Sequence, residues 1–208
     1  MAEQYLSAFA VDGDALLALA GCGDEEFVRR ALARIGEPGR REELLRCADA
    51  AAVEPVLREL VDGRADLFRP SRYTELLELV APLVGERLGA AVLPGRGWDG
   101  LDGPLRAWGL PALAGRWQLG WTFPWREASG RSRPWPFPVL VTKGELDTVC
   151  EELLLFDADR AEDWPGGGDW HGDDLEEAVR LLEECLPPWA DGALARGRDL
   201  LLLRDGGR

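Results

Sequence analysis

Asparagine is absent from the 208-residue chain, and lysine, histidine, isoleucine and methionine occur once each, as Lys143, His171, Ile35 and Met1. A single imidazole excludes every site built from two, the His-x-x-x-His zinc hydrolases among them. There is no G-x-x-x-x-G-K-[ST] phosphate loop and no G-x-S-x-G nucleophile elbow, and no G-x-G-x-x-G is expected to open a helix directly behind a strand. The four serines, Ser7, Ser71, Ser129 and Ser132, stand in no local motif, so a Ser-His-Asp or Cys-His arrangement would have to recruit His171 from a polar loop. Nor do the four cysteines form a C-x-x-C pair. Cys150 and Cys185 fall on apolar helix faces, where a reduced thiol behaves as a small hydrophobe. No metal site and no cofactor are expected.

Positive charge is also scarce. Twenty-four basic side chains face 38 acidic ones, a net of -14. A field of that sign repels phosphate backbones and anionic membranes and favours a basic protein partner. Met1 to Ser7 lacks a basic stretch leading into an apolar run, and no apolar segment approaches a bilayer's span, so the expected setting is the cytoplasm, without membrane contact. Arginine's dominance over lysine fits codon bias from a GC-rich genome. Length and ordinary hydrophobic content, 46%, suit one domain over 1–208 with its own core.

Tyr5 to Val11 is apolar on both faces apart from Ser7, the pattern of an interior strand. Asp12 and Asp14 can cap a helix through Leu19, with Gly21 as its stop, and a second helix starts at Asp24 and closes at Gly36. Helical spacing resumes over Arg41–Asp62, where Pro55 is expected in the first turn of the last segment, and again from Ser71 to about Pro82. From Leu93 to Pro138, glycine, proline and tryptophan predict long loops. Within them Arg116–Phe123 alternates, with Trp117, Leu119, Trp121 and Phe123 on one side, and predicts a strand. Val139–Val141 predicts another. Capping boxes start helices at Thr142 with Glu145 and at Asp174 with Glu177; in the second, Glu176 and Arg180 can pair on the outside. Pro187 and Pro188 interrupt the pattern before Leu200–Leu203, a closing strand. The layout predicts an α+β fold: a small mixed β-sheet of about four strands covered by helices, a Trp/Pro-rich central loop region, and the first and last strands as neighbours.

Chemistry concentrates in that centre. Between positions 96 and 143 stand seven basic residues, Arg96, Arg106, Arg116, Arg126, Arg131, Arg133 and Lys143, against Asp99, Asp102 and Glu127, so the segment is +4 and the remainder -18. Six tryptophans share it: Trp98, Trp108, Trp117, Trp121, Trp125 and Trp135. Aromatic faces with arginine edges can stack a planar ring and grip an anion in bidentate fashion; the same composition makes a protein-binding hot spot or simply fills a core. Trp117 and Trp121 suit the core. The candidate ligand-binding residues are Trp98, Trp125, Trp135, Arg116, Arg126 and Arg133. The acidic loop Asp157–Asp174 around His171 has oxygen ligands for a divalent cation, but Ala161 and Glu162 break the calcium-loop spacing, so a solvated loop is expected.

Tyr5-Leu-Ser-Ala-Phe-Ala-Val-Asp12, with Leu16, Leu19, Gly21 and Asp24-Glu25, resembles the opening of an actinobacterial family described only as a domain of unknown function. Tyr73 with Leu76-Leu77, the Pro136-Phe137-Pro138-Val139 step and Thr142-x-x-Glu145 extend the likeness. A fainter one, in the order of elements, is to the YfbM-like proteins, likewise of unknown function. The resemblance implies a compact α+β fold in a bacterial cytosol and carries over no catalytic residue. With no nucleophile–base pair to name, the leading expectation is a non-enzymatic interaction, regulatory or immunity-like module with an acidic surface. The alternative is an enzyme or binder that holds a small anionic or aromatic ligand in a Trp/Arg-lined pocket of residues 98–137, with Glu127 as proton-transfer group. Single-stranded nucleic acid on the Arg/Trp patch is disfavoured by the overall charge.

Overall fold

The computed structural model describes residues 3–35, 37, 49–66, 68–94, 101–125, 136–162 and 172–206. Four strands form one sheet in the order β2-β1-β4-β3, with β1 at Glu3–Val11, β2 at Gly85–Pro94, β3 at Phe137–Val141 and β4 at Asp199–Gly206. The α+β class is as expected, and the first and last strands are neighbours. Every pairing is antiparallel, so the sheet is not mixed in direction. Alternation along β1 and β4 decides the layers. Leu6, Ala8, Ala10, Leu200 and Leu202 point into one core, while Phe9, Val11, Leu201 and Leu203 point into another. Both faces are covered, which is why these strands read as near-continuous apolar runs.

The layer against Phe9 and Leu201 comes from the first part of the chain. It holds α1 (Gly13–Ala18), α2 (Glu25–Ile35), α3 (Ala50–Val61), α4 (Pro70–Thr74) and α5 (Leu77–Val84). Asp12 caps α1 by accepting the Ala15 N–H at 2.9 Å, and Asp24 takes the Phe27 N–H at 3.0 Å, as the sequence predicts. Pro55 sits in the second turn of α3, not its first, and the helix tolerates it on an exposed face. Gly36 and residues 41–48 lie outside the described residues.

The opposite layer comes from later residues: α6 (Asp102–Ala107), α7 (Pro111–Leu119), α8 (Lys143–Leu154), α9 (Ala158–Glu162), α10 (Gly172–Arg180) and α11 (Leu186–Ala195). The segment from Leu93 to Pro138 holds the end of β2 and two helices, and Arg116–Phe123 is no strand: α7 runs to Leu119, and Gly120 turns the chain with φ of 62°. Trp117 therefore enters one core and Trp121 and Phe123 the other. The alternation was a coincidence of helix end and turn. Strand β2 also escaped notice, because Gly89 stands where a Cβ would lie 2.3 Å from the Trp189 indole nitrogen of α11.

Helix α10 starts at Gly172, so Asp174 lies inside its first turn instead of at the cap. Arg180 pairs with Glu177, not with Glu176. Residues Leu181–Cys185 widen into a π-helical turn whose last bond joins the Leu186 N–H to the Leu181 carbonyl. Pro187 and Pro188, lacking N–H donors, then fit the first turn of α11.

Candidate functional site

Strands β1 and β3 run in the same direction, both against β4, so Val11, Val141 and Asp199 come together where the strands end, on one side of the sheet. Helices α1 and α8 both start there. The Asp199 carboxylate spans the two starts, accepting the Gly13 N–H at 2.9 Å on Oδ2 and the Lys143 N–H at 2.7 Å on Oδ1. A Cβ on residue 13 would lie 2.4 Å from Oδ2, so glycine is what permits this approach. One carboxylate thus satisfies amide groups that helix geometry leaves without intrahelical acceptors.

Around that junction lies a cleft of about 440 Å³, lined among others by Asp14, Leu17, Arg116, Trp121, Leu140 and Lys143. Several of its charged groups already have partners. Asp12 Oδ2 accepts from Arg198 at 2.9 Å. Glu145 takes the Thr142 N–H at 3.1 Å and its hydroxyl at 2.6 Å, the expected capping box, and also receives Arg116 through Nε at 2.8 Å and through Nη2. Burial pulls the Glu145 carboxyl upward, but the Arg116 and Thr142 hydrogen bonds outweigh it and hold the group below the ordinary carboxylate range. The same helix reaches α7 a second time, where Glu152 accepts the Ala112 N–H at 2.9 Å and so caps α7.

Of the six candidate ligand-binding residues, Arg116 and Trp125 are described and do not meet in one pocket. Arg116 lines the strand-end cleft. Trp125 is half-buried against the other core, its ring 5.9 Å from that of Tyr73 and its carbonyl accepting the Trp121 indole N–H at 3.0 Å. Trp98, Trp135, Arg126 and Arg133 lie outside the described residues, as do Glu127 and His171. Trp108, Trp117 and Trp121 are buried, at 6%, 3% and 5% exposure. Sequence reasoning missed Asp199 and gave Lys143 no site role; the available signal was a lone lysine at the first position of a capped helix.

Cys150 and Cys185 are poorly placed as nucleophiles. Burial pushes the Cys150 thiol up to about 11, assisted by Asp191 and Asp147, and burial also raises Cys185. No cluster of three or more His, Cys, Asp or Glu residues suited to a metal occurs among the described residues. The spacing of Gly95-Arg-Gly-Trp-Asp-Gly100 is G-x-G-x-x-G, and it does stand between β2 and α6, contrary to expectation. Its own residues are outside the described set; the strands around it are antiparallel and α6 spans only 6 residues, so the described residues form no parallel dinucleotide-binding unit.

Fold and cleft define a class: an antiparallel four-stranded sheet between two helical layers, with a charge-paired cleft where strands end and helices begin. The chain belongs to the family described as Domain of unknown function (DUF7691), which matches residues 2–204. No curated protein and no solved structure matches it. No helix among the described residues is long and apolar enough to cross a membrane.

Proposed function

We propose that the protein is a non-enzymatic interaction module, acting as one domain over 1–208 in a bacterial, actinobacterial cytoplasm, whose acidic surface docks a basic protein partner. The distribution of ion pairs carries this reading. On the early helical layer, arginines neutralise the carboxylates: Arg58 holds Glu25 and Glu54, Arg64 holds Asp62, and Arg72 holds Glu59. On the surface made by α8, the π-helical turn and α11, Asp147, Glu151, Glu183, Glu184 and Asp191 are exposed, and none makes an ion pair among the described residues. Uncompensated carboxylates raise the local potential and steer a cationic partner toward them. The raised cysteine thiols also support binding over covalent catalysis.

The test compares the native protein with Asp147→Lys/Glu151→Lys/Glu184→Lys in pull-downs from native lysate. The expected result is a basic partner held at low salt, released as salt rises, and lost in the triple variant. No partner at low salt, or recovery indifferent to the reversal, would overturn the reading.

A further inference from the structure

We infer that the strand-end cleft is a second, separate site, for a small ligand bearing one compact anionic group, carboxylate or phosphate, on an aromatic or apolar body. Of the lining carboxylates, Asp199 is engaged by the two helix starts and Asp12 by Arg198, and just behind them Glu145 is engaged by Arg116. Lys143 is exposed and has no ion pair among the described residues. It also stands at the first position of α8, the end of a helix where a cation is unfavourable. A sequence that breaks a local rule at a cleft wall points to binding there. Arg116, which spends Nε and Nη2 on Glu145, is held rigid beside it.

Space exists for the anion. A Cβ built on Gly144, which lines the cleft beside Lys143, meets nothing within 4 Å, so the space there is open. Leu17, Leu140 and Trp121 supply the apolar wall for the ligand's body. With Arg116 paired to Glu145 and Arg198 to Asp12, Lys143 is the one lining cation without an ion pair among the described residues, which suits a ligand with a single anionic group.

Backbone and indole N–H resonances report the test, with phenyl phosphate, benzoate and inorganic phosphate titrated separately into the native protein. Saturable shifts at Gly120, Thr142, Lys143, Gly144 and the Trp121 indole are expected with at least one aromatic probe. Lys143→Gln should weaken that binding by about tenfold or more, the loss expected for one charge-assisted hydrogen bond. Gly144→Asp should abolish it without lowering the melting temperature, since a carboxylate suits a helix's first turn. Shifts that are absent, non-saturable or located elsewhere would overturn the site, as would binding unchanged in both variants. Inorganic phosphate binding as tightly as phenyl phosphate would overturn the apolar half of the ligand. The two tests alter different residues of α8 and beyond, Lys143 and Gly144 here against Asp147, Glu151 and Glu184 there, and read different ligands, so either can fail while the other succeeds.

Discussion

At the scale of single residues, Asp199 ties the two helix starts of the cleft together. Its two oxygens serve two helices that pack on opposite faces of the sheet. An amide in its place keeps one acceptor and turns the other into a donor facing an N–H. Asp199→Asn should therefore lose roughly 1–3 kcal/mol of stability, the cost of leaving a half-buried donor unsatisfied, measured as a shift of the urea midpoint at unchanged slope. Its role was not legible in the sequence, where an aspartate before a run of leucines reads as a solvated loop end. Asp12 and Thr142 were legible as caps, because capping is local chemistry within four residues. The partner of Lys143 N–H, 56 positions away, is not local, and nothing in the string signals it.

Elements tell the same story at longer range. Strands β1 and β4 could be read because each is apolar on both faces. By contrast, β2 carries a glycine, Gly89, dictated by its neighbour Trp189, and Trp117 near the end of α7 imitates a two-residue period with Trp121 beyond the turn. Helix α7 has little amphipathic character of its own. It is positioned by α8, through Glu145 on Arg116 near one end and Glu152 on the Ala112 amide at the other. These carboxylates stand one heptad apart and so lie on one face of α8. Glu152→Ala should cost about 1 kcal/mol, the usual price of a lost cap. It should also speed amide exchange at Ala112 and Leu113 before any other helix. Exchange rising uniformly across the protein would contradict a local clamp.

For the whole molecule the net charge of -14 matters more than any single pair. Self-repulsion of that size opposes the compact state and is screened by salt, with a Debye length of about 10 Å at 0.1 M. The exposed ion pairs on the early helical layer are each worth little, so their screening does not reverse the trend. The melting temperature is expected to rise between low and high sodium chloride, as followed by circular dichroism; a fall would mean that the arginine pairs outweigh the repulsion. Composition made this field legible at once. What it could not show is that the compensation is uneven, dense on one helical layer and sparse along α8 and α11.

The central place of β4 has one more consequence, for the order in which the molecule comes together on the ribosome. The strand that separates β1 from β3 is the last to be made, and it brings with it the carboxylate on which two earlier helices start. Until it emerges, β1 can pair only with β2, and each helical layer rests on an incomplete floor. Closure of the sheet therefore waits for residues 199–206, and a ribosome paused before codon 199 would hold a chain in which β3 is unpaired and the β4-facing edge of β1 is open.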